Sequence, residues 1–390
     1  MQQLPKGQSA EAECQNEYYA RISRKLRHVK YLLLLMMVAA AALTLFAYRG
    51  RITYDNLRYL LRDMDAAGHT SASADAVYFD ANDTNTYLHF RGDLAVASCD
   101  GVAFHRALGS RSFTDAVRFK APILVGSDKY MIAYDAGGYS LYVYNSISRV
   151  YSEAFDQPII DCAAADNGNF AVLLKNNIGG YTIRVYDKNF KLSATLTREG
   201  FVYAIGFLED GRLYLCESLS ADASLYTDVS FYSVGSDTMD MPIRESGLVL
   251  LAGQTKSGVF LLTDGGLAFL DGHGERILSH AFGTADILLA DSTADGVCVL
   301  LDENASGRAY GAYAYFANGN SYALPVQKGA KGITLCNKRI CLLYDAGLTV
   351  YDGNSVREME IPSGAKKLLR ADADTVIVCY NDYAKKFDIK

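Results

Sequence analysis

The sequence predicts an all-β protein, namely a β-propeller of eight four-stranded blades. Residues 76–390 repeat with a period of about 40 residues, and each repeat reads as four short apolar strands separated by tight turns. Repeats of that length with four strands each are typical of propeller blades. The composition agrees, because the chain has 28 tyrosines, which suit strands, and 33 glycines, which suit turns.

The first marker of the repeat is the turn between the first and second strands of a blade. It recurs eight times, with a mean spacing near 40 residues. Gly, Asn and Asp dominate it, since these residues tolerate the backbone conformations of tight turns. The eight turns contain Gly92-Asp93, Gly126-Ser127-Asp128, Asn167-Gly168, Asp210-Gly211, Ser257-Gly258, Asp295-Gly296, Asn337-Lys338 and Asp372-Ala373-Asp374.

Two further markers keep the same phase. The third strand of a blade ends in a large apolar residue that Asp or Asn follows, and that polar side chain supports the next turn. The examples are Tyr144-Asn145, Tyr186-Asp187, Leu270-Asp271, Tyr351-Asp352 and Phe387-Asp388, with weaker ones at Phe104-His105, Tyr232-Ser233 and Tyr315. Proline marks the passage from the fourth strand of one blade to the first strand of the next, where no N–H donor is needed. The prolines concerned are Pro122, Pro158, Pro242, Pro325 and Pro362.

The two ends of the repeat region complement each other. The last repeat, near residues 364–390, has only three strands, while Ala76–Asp80 (AVYFD) precedes the first full repeat. We therefore expect the N-terminal strand to complete the last blade, because a closed ring hides the edges that an open array exposes. A seven-bladed ring, with the first unit absent or decorated, is the alternative.

The segments before the repeats predict a membrane anchor. Residues 1–30 form a short basic tail with a net charge of +3, and residues 31–48 are a run of eighteen residues without a charge. Eighteen helical residues span roughly 27 Å, close to the thickness of the hydrocarbon core. Residues 31–48 are thus predicted to be an uncleaved signal-anchor helix, and a cleaved signal peptide is the alternative.

The flanking charge predicts the orientation. Five Lys or Arg residues lie within Arg21–Lys30, more densely than after the apolar run, so the positive-inside rule places the tail in the cytoplasm. Residues 49–75 read as a juxtamembrane helix and linker, and residues 76–390 as an extracytoplasmic domain. The predicted location is the cell membrane, with a single pass. Residues 31–390 carry a net charge of −9, which disfavours nucleic acid as a partner.

The cysteines favour buried thiols over a metal or redox site. Seven of the eight follow the membrane segment, spaced about a blade apart and without a Cys-x-x-Cys pair. They are expected in or at the ends of inner strands. Cys336 and Cys341, which flank one predicted turn, are the only plausible cross-strand disulfide.

No catalytic, cofactor-binding or metal-binding residue is predicted. Several short patterns have a possible chemistry, but each falls on a predicted turn where the same residues are expected anyway. They are the glycine-containing loop Asp271–Glu275, possible calcium ligands at Asp80–Asp83 with Asn85 or at Asp372 with Asp374, the adhesion tripeptide Arg91-Gly92-Asp93, and the glycan acceptor spellings at Asn82 and Asn304.

The layout of the whole chain resembles a known family. The basic tail, the apolar run, the segment Leu57–Leu61 (LRYLL) and the repeats together are similar to uncharacterised bacterial single-pass membrane proteins with a β-propeller ectodomain, a domain of unknown function. This resemblance implies no activity and no functional residues. Tryptophan-dependent signatures of other propeller families are absent, since the chain has no tryptophan.

Three functions remain open on the sequence alone. The leading hypothesis is a non-enzymatic binding or scaffolding module for an envelope protein or glycan, displayed by one helix, because no catalytic constellation is visible and propeller faces suit partner contacts. The second is an extracellular enzyme with a site in the central funnel. The third is a single-pass sensor. The protein is expected to need no cofactor.

Overall fold

The computed structural model describes residues 29–40, 43, 76–106, 111–145, 147–221, 224–256, 258–353 and 355–390. Residues 29–40 and residue 43 are helical. Among the residues in these ranges, no helix is both long and apolar enough to cross a membrane. The predictions for residues 1–28 and 49–75, and for most of residues 41–48, lie outside the described residues.

All the strands belong to one compact unit, Ala74–Lys390. Its first strand is β1 (Ala76–Tyr78). Blade 1 then consists of β2 (Thr86–Phe90), β3 (Asp93–Ser98), β4 (Gly101–His105) and β5 (Arg111–Asp115). Blade 2 consists of β6 (Pro122–Gly126), β7 (Met131–Asp135), β8 (Ser140–Asn145) and β9 (Ser148–Ala154). Blade 3 consists of β10 (Ile159–Ala164), β11 (Phe170–Lys175), β12 (Tyr181–Tyr186) and β13 (Leu192–Arg198).

The remaining blades follow in chain order. Blade 4 consists of β14 (Phe201–Phe207), β15 (Leu213–Ala221), β16 (Ser224–Ser233), β17 (Thr238–Met239) and β18 (Ile243–Ser246). Blade 5 consists of β19 (Val249–Thr255), β20 (Gly258–Thr263), β21 (Gly266–Asp271) and β22 (Arg276–Ala281). Blade 6 consists of β23 (Asp286–Ser292), β24 (Gly296–Asp302), β25 (Tyr310–Phe316) and β26 (Ser321–Val326). Blade 7 consists of β27 (Gly332–Cys336), β28 (Arg339–Leu343), β29 (Gly347–Asp352) and β30 (Ser355–Glu360). Blade 8 consists of β31 (Lys367–Arg370), β32 (Thr375–Cys379), β33 (Tyr383–Asp388) and β1.

The outer strand of blade 4 is interrupted. Both β17 and β18 pair with the outer edge of β16, one after the other, so together they take the place of a single fourth strand. Between them the N–H of Asp240 still donates to the carbonyl of Phe231, at 2.9 Å. Met241, which follows, is 88% exposed, and Pro242 cannot donate to a ladder. Blade 4 is therefore a four-stranded blade with an irregular outer edge.

The N-terminal strand closes the ring as predicted. Ala76, Val77 and Tyr78 pair with Lys385, Ala384 and Tyr383 of β33, so β1 is the outer strand of blade 8. The N–H of Phe79 continues the pairing by donating to the carbonyl of Asp382 at 2.9 Å. The Tyr87 hydroxyl, from blade 1, donates to the carbonyl of Tyr380 at 2.8 Å. The count of eight blades is confirmed, and the seven-bladed alternative is wrong.

The hydrophobic core is divided among the junctions between blades. The described residues form eight buried apolar clusters, and each is shared by two neighbouring blades. The cluster at the closing junction contains Val77 and Phe79 next to β1, Tyr87 and Leu94 from blade 1, and Cys379 from blade 8. Since burial of apolar area is the main stabilising term, each blade depends on both of its neighbours.

Most of the markers in the sequence predict their positions correctly. All eight marked turns join the first and second strands of their blades, and the marked apolar residues lie at the ends of the third strands. The polar residue that follows does support its turn: Oδ1 of Asp187 accepts the N–H of Asn189 and Lys191, at 2.9 and 2.8 Å. Oδ1 of Asn145 accepts the N–H of Ser148 at 2.9 Å.

The proline marker is correct only in part. Pro158 and Pro362 lie between blades, whereas Pro325 lies inside the outer strand β26, opposite Gly311. Pro122 is the first residue of the inner strand β6. Both positions tolerate the missing donor, because an outer strand has one unpaired edge and a first strand residue can lack a ladder bond.

Closure of the ring predicts that two adjacent residues of β1 contribute very differently to the free energy of unfolding. Val77 is buried at the closing junction, whereas Tyr78, on the other face of the strand, is 71% exposed. We expect Val77→Ser to lower the free energy of unfolding by about 2–3 kcal/mol, because it removes buried methyl groups and buries a hydroxyl. The matched control Tyr78→Ser is expected to cost less than about 1 kcal/mol. Denaturant unfolding of the purified variants measures both, and equal losses would contradict the closing role of β1.

Candidate functional site

The first strand of each blade lines the axis of the ring, and in four consecutive blades that strand carries a β-bulge. The register of pairing with the second strand shifts between Ile159 and Asp161, Val202 and Ala204, Val249 and Leu251, and Ile287 and Leu289. Each shift leaves one residue without a partner opposite, as bulges do. The residues concerned are Ile160, Tyr203, Leu250 and Leu288.

Two of these bulge residues are exposed and two are not. Leu250 and Leu288 are 51% and 47% exposed, whereas Ile160 and Tyr203 are half-buried and pack against the core clusters on the two sides of blade 4. Ile123, the second residue of β6, has the same place in blade 2 and is also exposed. Because neighbouring blades cover both faces of an inner strand, exposed side chains there open towards the axis. We call Ile123, Leu250 and Leu288 the axial collar.

Asp161 lies directly after one of these bulge residues and joins three blades. Its Oδ1 accepts the N–H of Cys162 at 2.8 Å and the hydroxyl of Tyr134, from blade 2, at 3.3 Å. Its Oδ2 accepts the N–H of Ile205, from the inner strand of blade 4, at 3.4 Å. The side chain retains some exposure but is enclosed by protein on most sides.

The surroundings of Asp161 are uncharged at neutral pH. Burial raises the pKa of the Asp161 carboxyl to about 6, against the opposing effect of its hydrogen bonds from Cys162, Ile205 and Tyr134. Burial, and then the charge of Asp161, raise the pKa of the Tyr134 hydroxyl and of the Cys162 thiol. In the described part of the chain, no Lys, Arg or His side chain forms an ion pair with Asp161. Among the described residues, no cationic side chain therefore neutralises the carboxylate of Asp161.

A second inner-strand acid, Asp291 in blade 6, has different neighbours. Its Oδ2 accepts the hydroxyl of Thr334, from the inner strand of blade 7, at 2.6 Å. Its backbone carbonyl accepts the Cys298 thiol at 3.5 Å. Like Asp161, it links adjacent blades, so a carboxylate that bridges inner strands occurs at two places on the ring.

Two grooves lie between neighbouring blades. The one between blades 4 and 5 has a volume of about 450 Å³. Beside it Arg276 pairs with the buried Glu245 at 2.5 Å, and Arg244 pairs with Asp228 at 2.8 Å. Both guanidinium groups are thus already neutralised, so this groove offers an incoming anion little net charge. The other groove, between blades 6 and 7, has a volume of about 680 Å³.

The cysteines are buried thiols for the most part. Cys336 and Cys341 are both free and fully buried, with a hydrogen bond between their side chains. That bond lowers the pKa of the Cys336 thiol and raises the pKa of the Cys341 thiol. Cys341 pairs with Thr334 and Cys336 with Arg339, so the two thiols are diagonal neighbours. Diagonal Cα atoms in a sheet are roughly 7–8 Å apart, beyond the usual span of a disulfide.

Most of the cysteines lie one strand farther from the axis than expected. Cys162 and Cys336 are in first strands, and Cys99, which follows a second strand, retains some exposure. The other four lie in second strands, whose two faces are both covered by neighbouring blades. They are Cys216, Cys298, Cys341 and Cys379.

The glycine-containing loop and the calcium-like patterns lie in turns. Asp271 joins β21 to β22 and accepts the N–H groups of His273 and Glu275, each at 2.8 Å. Asp372 accepts the N–H of Asp374, which pairs with Arg339 at 3.0 Å. Within the described ranges, no three His, Cys, Asp or Glu side chains are arranged to hold a metal ion.

The adhesion tripeptide and the glycan acceptors are also in turns. Asp93 of the tripeptide is only 3% exposed, so the carboxylate that such a motif must present is buried. Asn82 is engaged locally, since it accepts the N–H of Thr84 at 3.0 Å and donates to the Cys99 sulfur at 3.1 Å. Asn304 is exposed.

Sequence reasoning missed Asp161. The signal that could have revealed it is an acid inside the otherwise apolar first strand of blade 3, IIDCAA. An ionisable residue in such a run is either paired or functional.

Comparison with protein families identifies the chain. Residues 70–386 match the model of DUF5711, a family of unknown function. The chain belongs to this family. No curated protein matches it.

Solved structures of low sequence identity share the fold of this family member. The crystal structure of BamB from Moraxella catarrhalis is 11% identical, covers 80% of this chain and 98% of its own, and has a TM-score of 0.51. A crystal structure of a eukaryotic initiation factor is 12% identical, covers 83% of this chain and 89% of its own, and has a TM-score of 0.55. At such identities the likeness concerns the fold alone.

The raised pKa of Asp161 predicts a pH-dependent effect of Asp161→Asn. The folded state binds this proton more tightly than the unfolded chain, so the carboxyl supports stability at low pH and loses that contribution as pH rises through about 6. Asn keeps the acceptor oxygen but cannot ionise. Relative to the wild type, the variant should therefore gain about 2–3 kcal/mol between about pH 4 and pH 8. Urea unfolding at both pH values measures this gain, and a pH-independent difference would contradict it.

Proposed function

We propose that this protein is a membrane-anchored, extracytoplasmic binding or scaffolding module for an envelope protein or glycan. The observation that carries the binding role is the axial collar, whose apolar side chains stay exposed although the junctions between blades are well packed. Exposed apolar side chains do not help a domain to fold, and patches of them commonly mark an interaction site. The collar chemistry favours a polypeptide over a glycan as the partner.

The ring makes the collar a rigid platform. Each collar residue lies on an inner strand whose blade is held by a core cluster on either side. Binding to such a surface orders few groups, so little conformational entropy opposes the contact. Scaffolds of this kind place their recognition residues on irregularities of a stiff framework, and here the irregularities are the bulges.

The anchoring part of the proposal rests on the sequence. Residues 31–48 carry no charge, and the basic residues cluster in front of them. The helical conformation of residues 29–40 agrees with such a segment. A single helix would hold the propeller on the outer side of the cell membrane.

The proposed topology predicts the outcome of protease protection. In intact cells without a permeability barrier outside the membrane, externally added protease should remove an epitope tag placed after Lys390. A tag placed before Met1 should survive until detergent is added. The opposite pattern, or equal protection of the two tags, would contradict the proposed orientation.

The binding role predicts that the collar is needed for partner capture. Replacing Leu250 and Leu288 by Ser should reduce cross-linked partner recovered with the full-length protein at least tenfold, because each apolar contact contributes about 1–3 kcal/mol to binding. The melting temperature should change little, since both side chains are exposed. Ile178→Ser is the matched control, because Ile178 is fully exposed on the turn between β11 and β12. Equal recovery from all three proteins, or no partner with the wild type, would count against the proposal.

A further inference from the structure

We propose that the carboxylate of Asp161, on the first strand of blade 3, is a receptor for one basic side chain, a lysine or an arginine, of the bound polypeptide. This inference rests on the proposed binding function and names the chemistry that the partner presents. Three features of Asp161 and its surroundings favour a basic side chain: a missing positive charge, a path for an aliphatic stem, and the poor fit of other cations.

The first step is the unbalanced charge of Asp161. Enclosed carboxylates in proteins are normally paired with a cation, because the ionised form is costly to remove from water. Asp161 instead has three neutral donors, namely the Tyr134 hydroxyl and the N–H groups of Cys162 and Ile205. An ionised carboxylate accepts about four hydrogen bonds, so one position remains for an incoming N–H group.

The second step is the apolar surface beside the carboxylate. Ile160, an apolar and half-buried residue, directly precedes Asp161 in β10. Lysine and arginine bury their methylene stems along apolar surface while the charged end reaches a polar group. Asp161 itself keeps partial exposure.

The third step is the exclusion of an inorganic cation. Calcium takes six to eight oxygen ligands and magnesium needs near-octahedral oxygen coordination. Around Asp161 the other polar groups are the phenols of Tyr134 and Tyr214 and the thiols of Cys162 and Cys216, all kept protonated by burial. A basic side chain brings its own donors and needs only one carboxylate.

The experiment uses the full-length protein and synthetic decapeptides that vary at one central position. The central residue is lysine, arginine, norleucine, glutamine or glutamate, in flanking sequences that are apolar and otherwise fixed. Binding is measured by fluorescence polarisation at about pH 7.5 and pH 5 for the wild type, Asp161→Asn and Asp291→Asn. Asp291 is the matched control, because it also bridges two inner strands but lies in blade 6.

If the proposal is correct, the lysine or arginine peptide binds the wild type at least tenfold more tightly than the norleucine peptide. Asp161→Asn abolishes that preference, whereas Asp291→Asn retains it. Lowering the pH to 5 weakens the basic peptides only, because protonation discharges the carboxylate of Asp161. The wild-type pH series tests the same point without any substitution.

Two results would overturn the proposal in different ways. Peptides that bind the wild type without a basic preference, or whose preference survives in Asp161→Asn, would refute the basic-side-chain receptor and leave the binding function standing. Failure of every peptide to bind, together with unchanged partner recovery after collar substitution, would refute both the receptor and the proposed binding function.

Discussion

The structure depends on one constraint, which is that every blade needs a neighbour on both of its faces. The second strands are apolar on both sides, so a blade with one bare face would expose a row of Val, Leu and Ile side chains. Eight clusters, one at each junction, meet this requirement. The cluster that closes the ring joins blades 8 and 1, and β1 contributes Val77 to it. At the same junction the Tyr87 hydroxyl donates to the carbonyl of Tyr380, about 300 positions away in the chain. Closure of the ring thus buries the apolar faces that blades 8 and 1 would otherwise expose.

The parts of this fold that could be predicted from sequence are those governed by local chemistry. Turns such as Asn167-Gly168 and strand ends such as Tyr186-Asp187 reveal themselves because Gly, Asn and Asp meet needs of their own backbone. The bulges could not be predicted, since a bulge is a relation of register between two strands. Asp161 shows both what the sequence reveals and what it does not reveal. Its position in an apolar strand is visible, but its enclosure comes from Tyr134 and Ile205, which lie 27 and 44 residues away in the chain.

The first strands depart from two ordinary rules of folding. Large apolar residues should be inside, yet Leu250 and Leu288 are exposed. Charged residues should be outside or paired, yet no cation among the described residues pairs with the enclosed Asp161. Natural sequences depart from local consistency mainly at functional positions. In blade 3 the bulge leaves Ile160 half-buried and shifts the register at Asp161. Bulges on the first strands of four consecutive blades favour a single interaction site along the inner strands.

The attachment of the chain at β1 gives the propeller a mechanical property. Any tension that arrives through the residues before Ala76 acts first on three residue pairs and one further N–H bond, at the outer edge of blade 8. Detachment of this short strand would uncover Leu94 and Cys379 by removing Val77 and Phe79 from the cluster that they share. Such tension would therefore loosen the junction between blades 8 and 1 before any other junction. The strand that completes the ring is therefore also the strand whose detachment would open it.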